Sequence, residues 1–299
     1  MKVGIVGLGK LGNIHLRIYR EIKEIEKIYL VDSDINKLSE QREFSAFTDY
    51  RQLFGKINLV SISTPTVAHF EIAKFFLQNK IPTLVEKPIT QTLPQAQKLI
   101  EISKKNKTLL FIGHVERYNN AYLAIKKMVE KPLFIECHRL NPYPNRSLDV
   151  SVVLDLMIHD LDIILDLVRD EIKKVEAKGV KVLSPSYDIV NARITFKNGC
   201  VANITASRIS AKKERKIRMF LPNRYISLDY AEQRAEIYQK IGNEIKSELL
   251  EINKEEPLKK EIIDFIRLAQ ANCLETEDAV KAKDALALAL RIQKSATAE

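Results

Sequence analysis

Asp155 and His159 stand four residues apart in an apolar run, a spacing that lets a carboxylate reach an imidazole one helical turn away and fix its tautomer. An imidazole held this way is a base for drawing the proton from a hydroxyl while hydride leaves the same carbon. Lys87, in Glu86-Lys87-Pro88, brings an amine that can polarise that oxygen or share a proton relay with His159; read by itself it is a surface lysine after a strand. Asp155 with His159, or His114 with Glu116, also have metal-ligating types. Neither pair brings an evident third ligand, which argues against a metal.

Hydride needs an acceptor, and the stretch from Met1 to Asp32 has the form of a cradle for one. Gly7, Gly9 and Gly12 spell G-x-G-x-x-G after a β-branched strand (Val3, Ile5, Val6), and Asn13 to Tyr19 begin a helix. The first glycine permits a tight turn, the second admits a pyrophosphate to the backbone, and the third lets helix and strand pack closely. The loop Gly7-Leu8-Gly9-Lys10-Leu11-Gly12 is thus the expected phosphate site, aided by the partial positive charge of the helix N-terminus. A second strand, Ile28 to Val31, ends in Asp32, whose carboxylate can accept both hydroxyls of an adenosine ribose and repels a 2′-phosphate. NAD is therefore favoured over NADP, although Ser33 and Lys37 leave NADP some room. A plain glycine-rich turn is the alternative; strand, glycines, helix, second strand and acid in this order argue for the cradle.

These groups need a scaffold. From 1 to 131 apolar strands alternate with helical segments, as in a doubly wound parallel (Rossmann) sheet, α/β in class. Strands ending at Ser63, Glu86 and Gly113 bring Thr64, Lys87 and His114 to one edge, where ligands of such sheets bind. From 132 to 299 the pattern changes to an α+β domain with a largely antiparallel open sheet. A strand (about Leu133 to Leu140), a proline-rich loop (Asn141 to Ser147) and a helix (about Val152 to Val168) precede short alternating strands, and two helices close the chain. On the long helix Asp155, His159, Asp162 and Asp166 form a narrow stripe among Val, Leu, Ile and Met. Burying carboxylates without partners costs several kcal/mol, so the stripe is expected to face a cavity, with a solvated face as the alternative. Asp160, off the stripe, requires a partner that the sequence does not identify.

Composition bounds the function. With 299 residues, 45% hydrophobic and 29% charged, the chain fits two globular domains. No apolar run approaches bilayer length, and Cys137, Cys200 and Cys273 are odd in number and far apart, which fits a reducing cytoplasm. A net charge of +9 suits an anionic substrate or a lysine-rich surface; no nucleic-acid recognition motif accompanies it.

Gly7-x-Gly9-x-x-Gly12, Ser63-Thr64-Pro65 followed by His69, Glu86-Lys87-Pro88 and Asp155-x-x-x-His159-Asp160 together resemble the Gfo/Idh/MocA oxidoreductases over the whole chain. The resemblance implies a dinucleotide-binding domain and an α+β domain whose sheet often mediates oligomers, here a homodimer or homotetramer. It places Lys87, Asp155 and His159 in the catalytic positions and Thr64, Pro65, His69, Glu86 and Lys87 beside NAD. Many members carry glycine where Ser151 stands. Within the family, the segment Gly113 to Asn119, the Arg139 to Arg146 loop and Ala206 to Ser210 resemble members that oxidise the C3 hydroxyl of UDP-N-acetylglucosamine to a ketone, which a partner aminotransferase converts to an amine. That resemblance implies substrate contacts from His114, Glu116, Arg117, Tyr118, Arg139, Arg146 and Arg208, whose guanidiniums suit a diphosphate. The basic run Lys212 to Lys216 fits the same task or a solvated strand and turn.

Two rivals remain. A free sugar or a polyol such as inositol would undergo the same chemistry but leave no site for UDP. A non-catalytic dinucleotide sensor would need the cradle alone, and the company of Lys87, Asp155 and His159 argues against it.

Overall fold

The computed structural model describes residues 1–143, 150–274 and 276–297. In chain order the elements are β1 (Lys2–Val6), α1 (Lys10–Glu21), β2 (Lys27–Val31), α2 (Ile35–Ser39), β3 (Ser45–Phe47), β4 (Leu59–Ile62), α3 (Thr66–Gln78), β5 (Thr83–Glu86), α4 (Leu93–Asn106), β6 (Leu110–Gly113), α5 (Asn120–Lys126) and β7 (Phe134–Leu140). Then follow α6 (Ile158–Val168), β8 (Ile172–Val180), β9 (Ile189–Phe196), β10 (Val201–Ser207), β11 (Glu214–Phe220), β12 (Arg224–Asp229), β13 (Arg234–Ile241), β14 (Glu244–Leu249), α7 (Pro257–Gln270) and α8 (Glu277–Thr297).

Two compact units result, Met1–His114 with Leu258–Lys283, and Val115–Pro257 with Asp284–Glu299. The division falls at His114 rather than at 131, because the segment after His114 is tied to the second sheet: Asn119 caps α5, and its Nδ2 donates to Tyr230 O at 3.0 Å. The first unit also regains α7, where Phe265 packs on Phe111 with ring centroids 5.6 Å apart and Lys259 Nζ donates to Glu21 Oε2 at 2.7 Å.

In the first unit six parallel strands run in the order β3-β2-β1-β4-β5-β6. Their runs of Val, Ile and Leu are buried because helices cover both faces of such a sheet. The order reverses between β1 and β4, so Gly7 and Ser63-Thr64 lie at the two strand ends that flank the switch point, the place where α/β sheets bind ligands.

In the second unit eight strands run β14-β13-β12-β11-β7-β10-β9-β8, and every neighbouring pair is antiparallel except β7 with β10. Alternation sends Ile135, Cys137, Ile217 and Met219 to one face, where they join Ile158, Leu161 and Ile164 of α6 in the core. The helix expected over Val152 to Val168 proves to be of two kinds. Val153–Met157 is π-helical and α6 follows it. A π turn bonds i to i+5, so the α-helical spacing does not run unbroken through Asp155. Ser151 precedes this segment: its Oγ accepts from Leu154 N at 3.3 Å and from Gln293 Nε2 at 2.6 Å. Among the described residues, no helix is long and apolar enough to cross a membrane.

Candidate active site

The fingerprint glycines each meet a measurable constraint. Gly7 has φ of +95°, and a Cβ there would lie 2.8 Å from the Ser63 backbone. A Cβ on Gly12 would come within 1.8 Å of Gly7 O, so α1 touches the β1 turn only because that Cβ is missing. Gly9 has nothing within 4 Å of its Cβ position; the space before it is open. Gly9 is also the N-cap of α1 and offers no side-chain cap, whereas α2 and α5 are capped by Asp34 and Asn119. The first N–H groups of α1, around Lys10 and Leu11, are therefore left for an outside acceptor.

Asp32, at the end of β2, is 7% exposed and fixed in orientation. Oδ2 accepts from Leu8 N at 2.7 Å and Oδ1 from Asp34 N at 2.9 Å, with Lys37 Nζ 3.2 Å from Oδ2. Burial alone would raise its pKa, but these N–H donors and the lysine outweigh it and hold the carboxyl below the usual range. Across the switch point, Thr64 Oγ1 is enclosed without a hydrogen-bond partner among the described residues. An open glycine, an uncapped helix, an ionised acid and an unpaired hydroxyl at these strand ends fit a dinucleotide.

Lys87 follows β5 in a turn held from both sides. On one side His69, 1% exposed, lies between the turn before Pro65 and the Lys87-Pro88 turn, with Nδ1 2.9 Å from Pro88 O and Nε2 2.9 Å from Thr64 O; the neutral ring donates to one of these carbonyls, according to its tautomer. Burial lowers its pKa against the pull of both carbonyls and Glu86. His69 thus acts on the two turns through their backbone. On the other side Glu86 Oε2 accepts from Lys87 N at 3.3 Å while Oε1 lies 3.0 Å from His15 Nε2, and His15 Nδ1 lies 2.7 Å from Ser61 Oγ. His15 and Ser61 escaped the sequence reading. Their signal was there: a histidine on the apolar face of α1 with Ile18 and Tyr19, and a serine inside Leu59-Val60-Ser61-Ile62. His114, just after β6, is 2% exposed.

The second unit places Asp155 on the π turn and His159 at the start of α6, both half-buried. The rest of the stripe is held in ion pairs. Asp162 accepts from Arg117, whose Nε lies 2.7 Å from Oδ2, and Asp166 receives the Tyr122 hydroxyl and Lys126. Burial and the neighbouring Asp166 raise the pKa of the Tyr122 hydroxyl, so it stays a donor. The partner required by Asp160 is Arg139: Nε to Oδ2 is 2.8 Å, Nη2 to Oδ1 2.9 Å, and Nη1 donates to Glu116 Oε1 at 2.9 Å.

This corrects the expected cluster of diphosphate arginines. Arg139 is 1% exposed and committed to two carboxylates, Glu116 is its counter-charge, and Arg117 is the partner of Asp162. Arg208, 2% exposed, gives Nε to Asp188 Oδ1 at 3.0 Å and Nη1 to Val150 O at 2.9 Å. A buried guanidinium needs such partners, and these two have theirs inside the unit. Tyr118 is half-buried in the 3-10 turn Val115–Tyr118, and Arg146 lies outside the described residues.

Arg215 is the guanidinium that fits better. On β11 it pairs in register with Arg139 and shares the face of Ile217 and Met219. Its Nε is enclosed without a hydrogen-bond partner among the described residues. Burial and the Arg139 charge lower its pKa, while Glu116, Asp160 and Asp155 act against them. Period-two alternation from Ile217 back to Arg215 marks this residue as inward, while Lys212, Lys213 and Lys216 are exposed, as the solvated reading of the basic run expects.

Comparison with known proteins gives the setting. The oxidoreductase family Gfo/Idh/MocA, with an NAD-binding Rossmann fold, matches residues 1–114, and the GFO/IDH/MocA C-terminal domain matches residues 122–239. The UDP-N-acetylglucosamine 3-dehydrogenase of Acidithiobacillus ferrooxidans is 32% identical over 98% of this chain and 96% of its own. Its solved structure, of the enzyme GnnA, superposes with a TM-score of 0.89 at 33% identity, covering 99% of this chain and 97% of that one. Myo-inositol 2-dehydrogenase of Thermotoga maritima is 26% identical over 70% of this chain and 69% of its own. Levoglucosan dehydrogenase, solved with NADH and levoglucosan, shares the fold at 16% identity, with a TM-score of 0.88 over 99% of this chain and 97% of that one. The two domain matches and the full-length likeness together show that the chain belongs to the Gfo/Idh/MocA family of NAD-binding oxidoreductases.

Proposed function

We propose that this chain oxidises the C3 hydroxyl of UDP-N-acetylglucosamine to a ketone with NAD as hydride acceptor. The observation that carries the reading is the 32% identity over 98% of the chain to an enzyme of that name. In the reading, the cradle loop from Gly7 to Gly12 and Asp32 bind NAD, which supplies the carbon that accepts hydride. His159, oriented by Asp155, takes the hydroxyl proton, and Lys87 stabilises the charge developing on that oxygen. Arg215 takes over the anion-binding task first assigned to Arg139 and Arg208. Binding energy from the nucleotide positions one sugar carbon for transfer. The keto sugar has a chemistry suited to an aminotransferase, the class of enzyme that would consume it, and the reading sets the protein in the cytoplasm as a homodimer or homotetramer.

The test is nicotinamide absorbance on mixing purified protein, NAD and UDP-N-acetylglucosamine, with an amine donor and an aminotransferase to draw off the ketone. Reduction with the nucleotide sugar, and a product whose NMR spectrum places the carbonyl at C3, is the expected result. Reduction with free N-acetylglucosamine or inositol alone would overturn the substrate while keeping the cofactor.

A further inference from the structure

Glu86 precedes Lys87 in the chain, and its carboxylate is held more elaborately than a strand end requires. His15 is 0% exposed, Ser61 0% and Glu86 6%. They form one line: Ser61 Oγ to His15 Nδ1 at 2.7 Å, His15 Nε2 to Glu86 Oε1 at 3.0 Å, and Lys87 N donating to Glu86 Oε2 at 3.3 Å. Tyr19, one turn beyond His15 on α1, is fully buried, and burial raises the pKa of its hydroxyl. Gly113 on β6 completes the enclosure, because a Cβ there would lie 3.0 Å from the Glu86 carboxylate. Apolar residues of like volume would pack this space without the desolvation cost of an acid and an imidazole.

We propose that His15 is a positioning residue for Lys87, acting through Glu86. His15 rides on α1, the helix whose uncapped N-terminus and Gly12 border the cofactor cradle. The helix that fits the pyrophosphate therefore also fixes the peptide from which the lysine amine springs. A displacement of the order of an ångström in a reacting group costs about 100-fold in rate, so the cradle and the amine have to be registered to each other. His15 does this from one side of the turn, and His69 stands beside the Pro88 carbonyl on the other. The inference rests on the reading that Lys87 acts at the reacting oxygen.

Two substitutions separate positioning from packing. In His15→Gln the amide nitrogen reaches the place of Nε2 and keeps the bond to Glu86; in His15→Asn it reaches only the place of Nδ1 and keeps the bond to Ser61. Three readouts are needed: steady-state turnover, cofactor affinity by the nicotinamide fluorescence of NADH, and the acylation rate of Lys87 by acetic anhydride, followed by peptide mass spectrometry. For His15→Asn, kcat is expected to fall about 30- to 100-fold with KM and cofactor affinity within about twofold, and the Lys87 acylation rate to shift at least about threefold. His15→Gln should recover most of the turnover and the wild-type acylation rate. Equal losses in both variants, tracking their melting temperatures, would mean a packing role and overturn the proposal. So would a His15→Asn protein with wild-type Lys87 reactivity. The acylation readout needs no substrate, so it stands whichever sugar the enzyme takes. If acylation shifts as expected while the wild type leaves UDP-N-acetylglucosamine untouched, the substrate reading fails and the positioning role survives.

Discussion

Arg139 meets Asp160 fork to fork, with Nε and Nη2 at 2.8 and 2.9 Å from the two carboxylate oxygens, and gives Nη1 to Glu116. Both members of the fork are 1% exposed. Burial alone would lower the guanidinium pKa, but Asp160 and Glu116 outweigh it and raise it, so Arg139 stays charged. The pair bolts β7 to the start of α6, one residue from His159.

Asp160→Asn breaks the fork and leaves Glu116 as the carboxylate that still faces Arg139. A loss of about 3 kcal/mol is expected, because breaking one partner of a buried pair leaves the remaining charge poorly compensated. Urea denaturation measures it. Replacing all three, with Arg139→Met, Asp160→Leu and Glu116→Leu, should recover much of the loss; a triple variant no more stable than the single one would count against this account.

Lys87→Met and His159→Ala should each lower turnover by at least about 100-fold, as expected for groups acting on the reacting atoms. Cofactor affinity, titrated by the fluorescence of NADH, should stay within about threefold, since neither residue belongs to the pyrophosphate loop. Unaltered turnover in either variant removes that residue from the chemistry.

The two glycines with opposite surroundings give a sharper contrast. Gly12→Ala would set a Cβ 1.8 Å from Gly7 O, so α1 must lift from the turn, and the variant should lose both NAD binding and several degrees of melting temperature. Gly9→Ala meets nothing within 4 Å and should fold normally while binding NAD weakly, because the methyl occupies the space reserved for phosphate. Normal NAD affinity in Gly9→Ala would show that the pyrophosphate lies elsewhere.

Much of this was legible in the sequence because the signals are local. The spacing of Gly7, Gly9, Gly12 and Asp32 marks the cradle, and β5 and β6 end at Glu86 and Gly113, where the apolar runs stop. What escaped depends on separation in the chain. His15 finds Ser61 and Glu86 at 46 and 71 residues' distance, and Asp160 finds Arg139 across 21; no periodicity marks such meetings. The π turn at Val153–Met157 changes the backbone bonding without changing the apolar pattern. The helical pattern of α7 likewise does not say which sheet it will cover. Arg139 and Arg208 were misassigned for a related reason: a guanidinium that binds phosphate and one that closes a buried carboxylate look alike in sequence.

Asp188 carries the pH prediction. Its Oδ2 accepts from Val182, Leu183 and Ser184 N–H, and its Oδ1 from Ser184 Oγ and Arg208. Burial would raise its pKa, but these donors outweigh it and hold the carboxyl far below its ordinary value of 3.8. A group depressed on folding contributes in full above the unfolded value and is lost as pH falls toward the folded one. Asp188→Asn should therefore cost about 3 kcal/mol at pH 7 in urea denaturation, a cost that shrinks steadily below about pH 3.5. A gap independent of pH would contradict the assignment.

Arg215 decides between the two kinds of substrate. Its Nε is enclosed beside Arg139 without a partner among the described residues, and Asp155 lies in its electrostatic surroundings. If it takes the nucleotide diphosphate, Arg215→Gln should raise KM for UDP-N-acetylglucosamine about 10- to 100-fold, the loss of one charge-assisted contact to phosphate. Inhibition by UDP alone should weaken by the same factor, because UDP holds all of that contact and none of the reacting sugar. NAD affinity serves as the control and should not move. An enzyme that acts on a free sugar would instead lose kcat in Arg215→Gln through the neighbouring Asp155 and show no inhibition by UDP in any form, which would return Arg215 to the role of a counter-charge.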